Sequence, residues 1–264
     1  LMRHPTALLV LMRRLFTWRQ IPKMLQMKEL LARAIAESPD MTAEERGNLL
    51  GECDLIMSFL SYNDITEMSR LHRSASRQMT RPAVTIQAGS WTFGSPSVLM
   101  MYYRAPGELQ KELHEMNECM PHYYRITNGH GLGAELVMAA EASFMQGRLH
   151  EAEIGIECAR TEIAGSGQEN MALCCDFLQL RLRLAAGKGR LLDMESRKQS
   201  LQARHDVVLL NMLDAIYAYY YALIQDTARI PEVFRLHRLD TVNYFAPGRP
   251  MMELVENQVL LAQG

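Results

Sequence analysis

The 264-residue chain is 48% hydrophobic and 22% charged with a formal net charge of −2, which excludes a disordered tail and gives a core-forming chain of one or two domains. Lysine and arginine are dispersed along it, so the basic footprint of a nucleic-acid binder is missing. Cys53, Cys119, Cys158, Cys174 and Cys175 form an odd set without framework spacing, as expected of reduced thiols in a cytoplasm. No membrane span is expected: "TALLVLM" is too short, Asp214 interrupts the run from Val207 to Gln225, and Gly and Pro break the stretch from Pro82 to Tyr103.

In chain order, almost every segment reads as helix, with apolar residues three and four apart and Ala, Leu, Met, Glu and Arg dominant. A first helix ends in "LFTW" at Trp18, and Pro22 suits the first turn of the next. "TAEE" (Thr42, Glu45) is a capping box, and "FLSY" marks a reversal at Tyr62, after which "NDITE" opens a helix at Asn63 or Asp64. Residues 81–95 are too rich in Gly, Pro and β-branched residues for helix. They read as an irregular insertion whose Trp91 and Phe93 are expected to be buried. "YYRA" turns at Ala105, with Pro106 opening the following helix; "FMQG" turns at Gly147; "SGQE" (Ser166, Glu169) reads as a second capping box. "LAAG" turns at Gly187 and "LIQD" at Asp226, where Asp tolerates the left-handed conformation; Pro231 suits another first helical turn, and Pro250 to Gly264 starts a seventh unit.

These turns, with "LAQG" at Gly264, are 44, 43, 42, 40, 39 and 38 residues apart. So regular a beat predicts stacked helical hairpins: an all-α, right-handed superhelix (α-α solenoid) of about six hairpins in one domain over residues 1–264. In Ala134–Ala159 the first helix should present Leu136, Ala139, Ala140 and Ser143, and the second Ala152, Ile156 and Ala159. Small residues at Ala140 and Ala152 let the axes approach to roughly 8–10 Å. The spacing of Gly147, Ala152 and Ala159 resembles the second half of the tetratricopeptide consensus, with Leu136 in place of the usual aromatic.

Chemistry-bearing patterns are sparse. "GHGLG" (Gly129 to Gly133) lacks the strand and glycine spacing of a dinucleotide fingerprint, and "GKGR" from Gly187 lacks the rest of a phosphate loop. His114, Glu118 and His122, with Cys119 adjacent, have zinc-compatible helical spacing, but Pro121 argues that the helix stops before His122, and isolated surface histidines are the commoner case. No nucleophile–base or paired-carboxylate arrangement is evident, so neither catalytic residues nor a metal are expected. "YAYYYAL" (Tyr217 to Leu223) covers several helix faces, so one or two tyrosines should pack and the others reach outward. Tyr217 or Tyr220, Arg181 and Glu141 hold similar places before successive turns. They are the candidate ligand-binding residues, of a kind that suits a polar small molecule or a peptide.

The segments "FLSYNDITEMSRLHRSA", "GELQKELHEMN", "LGAELVMAAEASFMQGRLHEAEIGIECA" and "ENQVLLAQG" resemble the helical-repeat region of bacterial MalT-like, LuxR-type transcriptional regulators. The resemblance implies a cytoplasmic sensor that binds a small-molecule or peptide effector, or a regulatory protein. ATP would be held by an N-terminal module and DNA by a C-terminal helix-turn-helix, to neither of which any residue here corresponds, so the chain is expected to be a piece of a longer regulator. The alternatives are a tetratricopeptide-type interaction scaffold and a peptide-pheromone receptor.

Overall fold

The computed structural model describes residues 4–61, 64–86, 94–102, 105–188, 195–242 and 248–264. It is all-helical, with no strand among the described residues. Contacts group the chain into two compact units, Leu1–Gly89 with His114–His130, and Ser90–Leu113 with Gly131–Gly264.

The first unit is built from two helical hairpins together with His114–His130, the greater part of a later helix. Helices α1 (Pro5–Thr17) and α2 (Ile21–Ala36) reverse just past Trp18 through Arg19, left-handed at φ 57°. Pro22 lies in the first turn of α2, where its missing amide hydrogen costs nothing. Leu8, Leu9, Met12, Met24 and Leu31 close the core between them. In α3 (Ala43–Ser58) the Thr42 capping box forms as read: the Glu45 N–H donates to the Thr42 hydroxyl, and the Thr42 N–H donates to the Glu45 carboxylate. Helix α4 (Ile65–Gln78) starts on Asp64, whose carboxylate accepts the Glu67 N–H. The reversal itself, at Tyr62 and Asn63, lies outside the described residues. The two helices cross closely because α3 carries glycines one turn apart. A methyl on Gly47 would stand 2.7 Å from the Gln78 carbonyl oxygen, and one on Gly51 3.0 Å from that of Ala75.

After α4 the chain leaves helix, as expected of the insertion, and two buried side chains hold it. Asn48 exchanges hydrogen bonds with Thr80, and the fully buried Glu52 accepts the Thr85 N–H at 2.7 Å and pairs with Arg81 at 3.2 Å. Trp91 and Phe93, expected to be buried, lie outside the described residues.

The other unit begins irregularly. Helix α5, Leu99–Tyr102 among the described residues, packs on α7 and α13. Pro106 sits in the turn before α6 (Leu109–Thr127) and not in its first helical turn. Helix α6 also runs through Pro121 to Thr127, so the expected stop before His122 does not occur.

Helices α7 (Ala134–Met145) and α8 (Leu149–Ile163) form the hairpin read most clearly in the sequence, with Gly147 left-handed at φ 76°. Ala152, Ile156 and Ala159 are buried as expected, and so is Ala140; Ala139, assigned to the same stripe, is exposed. The tightest approach is Ala140 against Gly155, where an added methyl would meet the alanine methyl at 2.8 Å.

Helix α9 (Glu169–Ala185) packs on α8 and α7. Its start corrects the second capping box. Gly165 and Gly167 both turn left-handed, so the Ser166 hydroxyl is aimed back at the Ile163 carbonyl, while Glu169 forms a two-pronged pair with Arg204. After Gly187 (φ 68°), helix α10 (Glu195–Ala203) packs on α11 (Val207–Leu223). The left-handed residue closing α11 is Gln225 and not Asp226, one position earlier than read. Pro231 is the N-cap of the single-turn α12 (Glu232–Arg235), just outside the helical turn assigned to it. Helix α13 (Arg249–Gln263) packs against α11.

Candidate ligand groove

The second unit carries an open groove of about 780 Å³ between α8 and α9, with Leu136 of α7 at one edge. Helix α8 makes it possible by having two faces. Ala152, Ile156, Ala159 and Ile163 point inward, whereas His150, Glu153, Ile154, Glu157, Cys158 and Thr161, again three and four apart, lie exposed along the groove. The facing wall is Gln179, Leu182 and Arg183 of α9.

Its chemistry is an apolar floor with acidic sides. Ile154 is 53% exposed although surrounded by polar residues, and Ile156 and Leu182 lie beneath. Glu153, Glu157 and Glu162 line the α8 side against one arginine, Arg183, opposite. The volume lies within the roughly 300–1,000 Å³ range of ligand pockets. Cys158 is exposed in this groove, and Cys53, Cys119, Cys174 and Cys175 are buried.

The four residues proposed from sequence lie elsewhere in the same unit, in two buried clusters. Glu141 is 1% exposed and works as a staple: its Oε2 accepts the N–H groups of Val98 and Leu99 at 2.8 and 2.9 Å, fixing the start of α5. Burial pushes its carboxyl up, while Arg181 and these amides pull it back toward the charged form. Arg181 Nη1 stands 3.7 Å from Glu141, and its guanidinium covers the Phe144 ring at 4.4 Å and the Phe177 ring at 5.5 Å. Tyr217 and Tyr220 pack with Tyr221, Tyr217 also lying under the Lys198 ammonium. Of the four tyrosines of that run Tyr217 and Tyr220 are buried, whereas Tyr219 and Tyr221 are partly exposed.

The first unit holds a buried polar relay. The Ser58 hydroxyl donates to the Leu55 carbonyl at 2.7 Å, so at 2.9 Å it accepts from His72 Nε2; His72 Nδ1 is left to accept the Cys119 thiol at 2.9 Å. Burial holds His72 neutral, pushing its pKa down to about 3, and raises Cys119 to about 12. A protonated thiol is a poor metal ligand. His122, one of the zinc-spaced residues, bonds instead to the Ser76 hydroxyl. Among the described residues no three metal-ligating side chains converge, and no described helix is long and apolar enough to cross a membrane.

Sequence reading missed the groove because it followed only the inward stripe of α8. The signal was present in "LHEAEIGIECARTEI", where Ile154 and Cys158 interrupt an otherwise polar outer stripe. Comparison with protein-family models, curated proteins and solved structures finds no match to this chain.

Proposed function

We propose that this chain is the effector- or protein-binding sensor region of a MalT-like, LuxR-type transcriptional regulator, and that the α8–α9 groove is its ligand surface. The observation that carries the reading is the outer face of α8, which exposes Ile154 and Cys158 among carboxylates over an apolar floor. Such a surface suits reversible recognition. The helical-repeat likeness of residues 59–75, 107–117, 132–159 and 256–264 supports the kind of regulator. A ligand acts in such a protein only by binding one of two conformations better than the other. ATP binding and DNA contact belong, on this reading, to other modules of the regulator.

A melting screen of metabolites and peptides tests the proposal. A ligand held at about 100 times its Kd adds about 2.7 kcal/mol, a shift of several degrees. The shift should vanish in Ile154→Asp. A screen with no hit, or a hit that shifts this variant equally, contradicts the reading.

A further inference from the structure

We propose that the α8–α9 groove takes a lysine- or arginine-bearing amphipathic helix of a partner protein, an inference that rests on the groove being the ligand surface. Length is the first argument. From His150 to Glu162 the lining face of α8 runs over three turns, roughly 18 Å at about 1.5 Å per residue, the dimension of a short helix and not of a compact metabolite.

Charge is the second argument. Glu153 and Glu157 stand one turn apart on that face, and Glu162, five residues further on, lines the groove from farther round the helix. Among the described ion pairs neither Glu157 nor Glu162 takes part, and Glu153 reaches only His150, at 3.9 Å. Three carboxylates beside half-exposed Ile154 and opposed by Arg183 alone leave the groove net acidic. A peptide helix laid along α8 would set its apolar stripe on Ile154 and Leu182 and one cation beside each carboxylate. An acidic helix would meet like charge at Glu153 and Glu157.

Cys158 supplies the test, because it lies in the groove and the other four cysteines are buried. The whole chain is alkylated with iodoacetamide and followed by intact mass. The reaction is run alone, with an 18-residue leucine–lysine amphipathic peptide, with its leucine–glutamate counterpart, and with spermine. The lysine peptide should slow modification of Cys158, and the effect should weaken as salt is raised. The triple variant E153Q/E157Q/E162Q, whose melt should match the parent because all three residues are exposed, should bind about tenfold more weakly, as expected for three surface ion pairs. Equal protection by both peptides, equal protection by spermine, protection by neither peptide, or unchanged binding by the triple variant overturns the proposal. Protection by the glutamate peptide or by a neutral effector alone would leave the groove as ligand surface and remove only the cationic partner.

Discussion

His72 is held uncharged between Ser58 and Cys119, with the Tyr123 ring 4.8 Å away and His122 adding repulsion to any proton it gains. Its folded pKa of about 3 lies below the ordinary 6.5, so the unfolded chain binds the proton more tightly. The His72 contribution is therefore complete above pH 6.5, declines as the pH falls, and bottoms out below about pH 3. Urea midpoints should fall by the equivalent of about 2 kcal/mol between pH 7 and pH 5. In His72→Gln, which cannot titrate but still offers Ser58 a donor, that part of the slope should disappear; an unchanged slope would contradict the neutral relay. Glu141 makes a second prediction at this scale. Glu141→Ala strips two amides of their acceptor and a nearly buried guanidinium of its counter-charge, and should cost about 3–5 kcal/mol in chemical denaturation.

At the scale of elements, close packing of small residues sets the hairpins. Gly155→Ala gains helix propensity but drives a methyl into Ala140, so it should destabilise by about 1–3 kcal/mol, and adding Ala140→Gly should recover most of the loss. Ala152→Leu, at a fully buried position of the same hairpin, should lower a thermal melt followed by circular dichroism through the same overpacking. Thr42→Ala should cost about 1 kcal/mol by removing one half of the capping box. Turns of this sort were legible in the sequence wherever local chemistry alone decides them. Gly147 and Gly187 take the left-handed conformation that a glycine after a helix allows, and Thr42 finds its Glu45 three residues on. Reading failed where a neighbour overrides the local preference. Ser166 has the spacing of a cap but sits between two left-handed glycines, and Pro121 is carried inside α6. Helix α5 was also hidden, since it depends on Glu141, distant in sequence, to hold its first amides.

At the scale of the whole molecule, a net charge of −2 spread along 264 residues gives no hint of where recognition occurs. Its placement is uneven all the same: Glu153 and Glu157 share one face of α8, and Glu162 also lines the groove. Glu141 and Arg181, picked out by their places before successive turns, stand 3.7 Å apart, but periodicity does not tell an inward face from an outward one once both are polar. Glu141 is buried and Arg181 nearly so, which makes the pair part of the frame; the recognition surface proposed above lies on α8 and α9. The direct measurement is a titration of the isotope-labelled chain with the leucine–lysine peptide, followed by amide chemical shifts. The largest changes should fall between His150 and Glu162 and between Gln179 and Arg183. Changes centred on the α1–α4 hairpins, or none at peptide saturating in the alkylation assay, would contradict the groove as the place where this protein meets its ligand.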